Sequence, residues 1–309
     1  MKIYSFVRDV TLCFLLSIAL SPSSWGADLQ KGLTAAQNGD FATALREWMP
    51  LAEQGDVLAQ YNLGLMYYNG EGVPQDYKAA LKWYTRAAEQ GVADAQYNTG
   101  HMYHNGEGVP QDYKEALKWY TRAAEQGDAD AQYNTGYMYD NGEGVPQDYK
   151  EALKWYTRAA KQGNASAQFT LGVMYDQGNG VPQDYKAALK WYTRAAEQGD
   201  ADAQYNLGLM YYNGEGVPQD YKASVKWFRQ SAEQGFAKAQ YNLAYMYGNG
   251  YGIPQDYVFA HMWFNIAASN GNEDASGNRN KVAERMTTEQ IAEAQKLARE
   301  CVAKNYKGC

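Results

Sequence analysis

The sequence predicts an all-α fold, an array of stacked helical hairpins, and three observations carry that prediction. The string Val-Pro-Gln-Asp-Tyr begins at Val73, Val109, Val145, Val181 and Val217 and returns as Ile-Pro-Gln-Asp-Tyr at Ile253, a period of 36 residues without a slip. A tryptophan keeps the same step, at Trp83, Trp119, Trp155, Trp191, Trp227 and Trp263. Within each period two stretches carry apolar residues at helical spacing, and each stops at glycine. Such self-similarity means one unit that buries its apolar face against copies of itself. The 309 residues therefore form a single array, not the two domains that length alone suggests.

Residues 1–26 read as a removable secretory signal. Lys2 and Arg8 give a positive start, Val10 to Leu20 is apolar apart from Thr11 and Ser17, and Ser24 and Gly26 suit cleavage after Gly26. Cleavage after Ala27 would put Trp25 where a small side chain is wanted. The apolar run is well short of the ~20 residues that span a bilayer. Residues 27–55 predict an atypical opening hairpin, with a short helix over 29–37 before a segment that matches the second half of the repeat.

Residues 56–271 divide into six units, 56–91, 92–127, 128–163, 164–199, 200–235 and 236–271. In the first, Ala59, Leu63, Met66 and Tyr67 follow the 3.6-residue period, and the run stops at Asn69-Gly70-Glu71-Gly72. Pro74 lies in the connector, Asp76 caps the next helix, and Ala80, Leu81, Tyr84, Ala87 and Ala88 give its apolar face up to Gly91. Asp56, Asp128, Asn164 and Asp200 supply caps for their first helices, whereas Val92 and Phe236 offer no capping oxygen. Those two starts are expected to be weaker by ~1 kcal/mol each. Residues 272–309 predict capping helices, the last announced by a capping box of Thr287 and Gln290 and running to about Lys304.

Composition narrows the function. A net charge of -7 argues against nucleic acid or an anionic membrane as the partner. Removing Lys2, Arg8 and Asp9 with the signal leaves 26 basic and 34 acidic residues, a net of -8. Three His and three Cys leave little for metal or thiol chemistry. No G-x-S-x-G, C-x-x-C or H-E-x-x-H occurs, and the glycine connector lacks the Lys and Ser/Thr of a phosphate-cradling loop. Glu71 and Asp76 are too few for a calcium loop. The sequence predicts no catalytic residue, no metal site and no cofactor. The Trp column reads as inter-repeat packing. His101 and His104 stand three apart on one helix, with Asp140 at the equivalent of His104 one repeat on, but they read as exposed polar residues at variable positions. After export, Cys301 and Cys309 are an even pair in an oxidising compartment and are expected to bond, the alternative being two free thiols.

The pattern A-x-Y-x-L-G-x-M-Y-x-x-G-x-G-V-x-x-D-Y-x-x-A-x-x-W-Y-x-x-A-A-x-x-G at residues 59–91 resembles the Sel1-like repeat family, relatives of the tetratricopeptide repeats, and the resemblance covers residues 56–271. It implies a right-handed α/α superhelical solenoid that acts as an adaptor or scaffold, in bacteria typically exported to the periplasm or beyond. A cysteine-rich branch of the family is associated with β-lactam chemistry; no repeat here contains Cys, so that activity is not carried over.

Most positions are nearly fixed between repeats, and those that change chemistry mark a surface. The columns Leu65, His101, Tyr137, Val173, Leu209, Tyr245 and Tyr68, His104, Asp140, Asp176, Tyr212, Gly248 share one stripe with Tyr61, Tyr97, Tyr133, Phe169, Tyr205 and Tyr241. By the resemblance, first helices line the concave side, so this stripe is expected to floor a groove whose middle Asp94, Asp130, Asp140, Asp176 and Asp202 make acidic. The expected partner is a protein or peptide with basic and apolar residues. The alternatives are a glycan- or peptidoglycan-binding module and a β-lactam-interacting hydrolase.

Overall fold

In a computed structural model, residues 27–309 are described; the expected signal sequence lies outside them. The described residues hold sixteen helices and no strand. An opening hairpin pairs α1 (Leu29–Gln37) with α2 (Phe41–Glu53). Six hairpins follow: α3 (Val57–Asn69) and α4 (Tyr77–Glu89), α5 (Ala93–Asn105) and α6 (Tyr113–Glu125), α7 (Ala129–Asn141) and α8 (Tyr149–Lys161). The series continues with α9 (Ala165–Gln177) and α10 (Tyr185–Glu197), α11 (Ala201–Asn213) and α12 (Tyr221–Ala232), α13 (Ala237–Asn249) and α14 (Tyr257–Ser269). Then α15 (Ala275–Ala283) and α16 (Thr288–Ala303) pack on α14. Each helix touches chiefly its neighbours in sequence, which makes the chain a right-handed α/α solenoid.

Local chemistry sets the boundaries. Asp56, Asp128, Asn164 and Asp200 accept from the backbone N–H three residues on, while Val92 and Phe236 make no such bond. Thr287 and Gln290 complete their capping box. First helices stop where Gly70 and its counterparts adopt φ near +75°, as at Gly70 (φ 76) and Gly214 (φ 77), a conformation other residues rarely take. Behind that cap, the Gln75 side chain donates to the Tyr68 carbonyl at 2.8 Å and the Asp76 N–H to the Tyr67 carbonyl at 2.9 Å, so the helix-end carbonyls are not left bare.

Packing within and between hairpins uses small residues to admit large ones. A Cβ on Gly64 would sit 2.4 Å from the Tyr84 ring, and one on Gly108 would sit 2.5 Å from the Tyr77 backbone of the preceding repeat. The first glycine seats the second helix on the first; the other seats one connector on the previous unit. Trp83, Trp119, Trp155, Trp191 and Trp263 are buried as expected, but Trp227 is half-exposed.

A buried amide ladder stitches the units together. Gln96 donates to the Ala88 carbonyl at 3.0 Å and accepts from Gln126 at 2.7 Å. Gln60 with Gln90, Gln132 with Gln162, Gln168 with Gln198 and Gln204 with Gln234 repeat the contact, and Gln240 ends it with Asn270. Tyr306, one period beyond Asn270, donates its hydroxyl to Asn270 at 3.1 Å and closes the row. Asn305 and Tyr306 take left-handed backbone angles that turn the tail back, and a disulfide joins Cys309 to Cys301 with Cα atoms 5.7 Å apart.

Candidate partner-binding surface

The first-helix stripe separates into three columns with different tasks. In the first, Tyr61, Tyr97, Tyr133, Phe169, Tyr205 and Tyr241 are all half-buried. Each ring leans on the aromatic of its own second helix, Tyr84, Tyr120, Tyr156, Tyr192, Phe228 or Phe264, with centroids 5.3 to 5.9 Å apart. Three of the hydroxyls reach on to a later helix: Tyr133 bonds Thr170 of α9, Tyr205 bonds Asn242 of α13, and Tyr241 accepts from Asn278 of α15 at 2.6 Å. This column is therefore half scaffold, half surface, and truncating it would damage the hairpin as well as any contact.

The second column stands further out. Leu65, His101, Tyr137, Val173 and Leu209 are half-exposed and Tyr245 is exposed. His101 stacks on Tyr97, accepts or donates to Asn105, and lies 3.5 Å from Glu107. The His101 charge and hydrogen bond hold the Glu107 carboxyl below the usual carboxylate range, against a burial that pushes it up.

The third column alternates between rings and carboxylates. Tyr68, His104 and Tyr212 cover Tyr77, Tyr113 and Tyr221, with centroids 5.1 to 5.3 Å apart. Asp140 and Asp176 instead turn onto the buried hydroxyls of Tyr156 and Tyr192, with Tyr156 Oη donating to Asp140 at 3.3 Å. Burial raises both carboxyls; the tyrosine bonds offset part of that rise, and the Glu215 charge adds to it at Asp176. Asp202 is raised by burial too, with Lys238 nearby pulling it back. Asp130 accepts from the Asn164 side chain at 2.9 Å.

One sequence expectation changes here. His104 is not an exposed polar residue: its Nε2 lies 2.9 Å from a Glu143 oxygen of the next repeat, with only 11% of the side chain exposed. Among the described residues no group of three or more His, Cys, Asp or Glu converges to hold a metal ion. The structure also adds residues that the sequence reading passed over. Where an aspartate replaces the covering ring, Tyr149 and Tyr185 become exposed, at 39% and 36%, each accepting at its hydroxyl from Gln147 or Gln183. The signal was present in the switch of the third column from aromatic to Asp, but its effect on the Tyr two turns of chain away needed the fold.

The model of the Sel1 repeat matches this chain six times over, at residues 57–92, 93–128, 129–164, 165–200, 201–236 and 237–272. Among solved structures, a Sel1 repeat protein from Oxalobacter formigenes is 37% identical, superposes with a TM-score of 0.67, and aligns over 77% of this chain and 96% of its own. A protective antigen of uropathogenic Escherichia coli strains with an SLR fold is 31% identical, with a TM-score of 0.60 over 90% of this chain and 69% of its own. No protein of curated function matches the chain. With six consecutive matches, the amide-stitched hairpins and two such relatives in agreement, the chain belongs to the Sel1 repeat family.

Proposed function

We propose that this chain is an exported, non-enzymatic interaction scaffold whose first-helix surface holds an extended polypeptide segment rich in basic and apolar residues. One observation carries the reading: Asp140 and Asp176 are half-buried carboxylates, lifted by desolvation and held only by tyrosine hydroxyls, beside the exposed rings of Tyr149 and Tyr185. A cation brought there would supply the charge compensation that lost hydration no longer gives, and the rings offer large contact area at small entropic cost. Export is supported by the residue 1–26 pattern and by the disulfide, which suits the periplasm or the extracellular space.

The test is a display library of random dodecapeptides selected on the mature protein. Recovered peptides should combine Lys or Arg with apolar residues. Replacing Tyr137 and Tyr245 by Ala, which stand further out than the first column, should weaken their binding by ~2 kcal/mol with helicity unchanged. Peptides that bind this double variant as well as the parent would place the site elsewhere.

A further inference from the structure

The second helices carry a charge pattern opposite to that of the chain. Each of α4, α6, α8, α10 and α12 has a lysine at its second residue, another one turn on, and an arginine about one turn later. In α8 the row is Lys150, Lys154 and Arg158, all exposed, extended by Lys161. Like charges four residues apart weaken an isolated helix. A solvated face would relieve them with interspersed acids. Among the described residues only Glu115 and Glu151 pair with this row, to Lys118 and Lys154 at 2.6 Å. A chain of net -7 has thus gathered cations on one ridge.

The arginines are moreover held in place. Arg86, Arg122, Arg158 and Arg194 lie over Trp83, Trp119, Trp155 and Trp191 with guanidinium carbons 4.5 to 4.9 Å from the ring centroids. The cation–π contact restrains each guanidinium over its ring, and among the described residues none of the four is ion-paired to a carboxylate. The fifth repeat breaks the series: Arg229 stands one residue earlier, donates to the Tyr247 hydroxyl at 2.7 Å, and leaves Trp227 half-exposed. Four identical, preset guanidiniums therefore recur at one repeat step along the solenoid.

We infer that this second-helix ridge is a binding surface for a linear anionic glycan whose carboxylate or phosphate groups are taken, one repeat at a time, by the four tryptophan-stacked arginines. A planar fork matches either oxyanion bidentately. The surface is distinct from the first-helix site. A flexible polymer can follow the row from repeat to repeat, and the choice of a glycan over nucleic acid rests on the exported reading above.

The experiment measures binding of the mature, oxidised chain to polygalacturonate for carboxylate, to a phosphorylated mannan for phosphate, and to neutral dextran as control. Expected is salt-sensitive binding to one or both charged polymers and none to dextran. The combined Arg86→Gln, Arg122→Gln, Arg158→Gln and Arg194→Gln variant should bind at least tenfold more weakly at an unchanged far-ultraviolet spectrum. The four Arg→Lys substitutions, which keep the charge and lose the fork, should fall between. The Tyr137→Ala and Tyr245→Ala chain should bind the polymers like the parent, which separates this inference from the peptide site. Equal binding by parent and Arg→Gln variant, no binding to either charged polymer, or capture only by phosphatidylglycerol vesicles would overturn it.

Discussion

Thr99 and Thr135 occupy the core position that Leu63, Leu171, Leu207 and Leu243 fill in the other repeats, and both are completely buried. Their hydroxyls differ. Thr99 Oγ1 donates to the Ala95 carbonyl at 2.7 Å, whereas Thr135 Oγ1 has no partner. Valine matches threonine in shape and in helix propensity, so Thr→Val at either site isolates the hydroxyl. At Thr99 the change removes one neutral hydrogen bond, worth ~1 kcal/mol, and leaves the Ala95 carbonyl still engaged by its own helix. At Thr135 it removes an unpaired buried hydroxyl, a gain of ~1 to 3 kcal/mol. Thr135→Val should therefore raise stability and Thr99→Val lower it, a difference of ~2 kcal/mol or more between two chemically identical substitutions one repeat apart. In urea, with a slope of ~3 kcal/mol/M, that separates the midpoints by roughly 0.7 M. Far-ultraviolet circular dichroism follows the transition, and amide exchange in α5 and α7 shows whether the effect stays in the altered repeat. Midpoints that shift together would refute the reasoning, because the Thr135 hydroxyl would then be as well satisfied as that of Thr99.

Trp155→Ala, which empties a site lined by Ala123, Ala124 and Ala131 and strands Arg158, should cost ~3 to 5 kcal/mol and split the urea transition into two steps, a single unshifted transition being the contrary result. Val92→Asp supplies the cap that α5 lacks and should add ~1 kcal/mol, seen as slower exchange of the first amides of α5; no change would mean that the N-terminus is satisfied otherwise. Asp140→Asn keeps an acceptor for the Tyr156 hydroxyl while removing a carboxyl that burial has raised. A raised acid withholds stability above its folded pKa and returns it below the unfolded value near 4, so the variant should be the more stable at pH 7 and lose that lead as the pH falls. A lead that grows on acidification would reverse the assignment.

Much of the architecture was legible because it is local. A capping oxygen at Asp56 or its lack at Val92, a glycine that alone tolerates φ near +75° at Gly70, and the Thr287–Gln290 box act within one turn of chain, and the helix ends follow from them. The 36-residue period then dictated stacking, since no single hairpin can bury both of its apolar faces. What the sequence left undecided are meetings set by the twist and rise between repeats. The amide ladder joins side chains 30 residues apart, His104 finds Glu143 39 residues on, and Tyr306 reaches Asn270 across 36. None of these partners shares a turn, so no periodicity within a helix announces them. The same holds for exposure. Identical tyrosines at the start of successive second helices are covered by Tyr68 or laid open beside Asp140, and identical tryptophans are buried under an arginine or, in the fifth repeat, half-exposed beneath Lys226. Net charge is likewise silent about faces, because it sums over surfaces that the solenoid separates, while a row of lysine and arginine recurs on each of α4, α6, α8, α10 and α12. Helical spacing is written in the residues of one helix; the surface is written in how six copies of it are turned against each other.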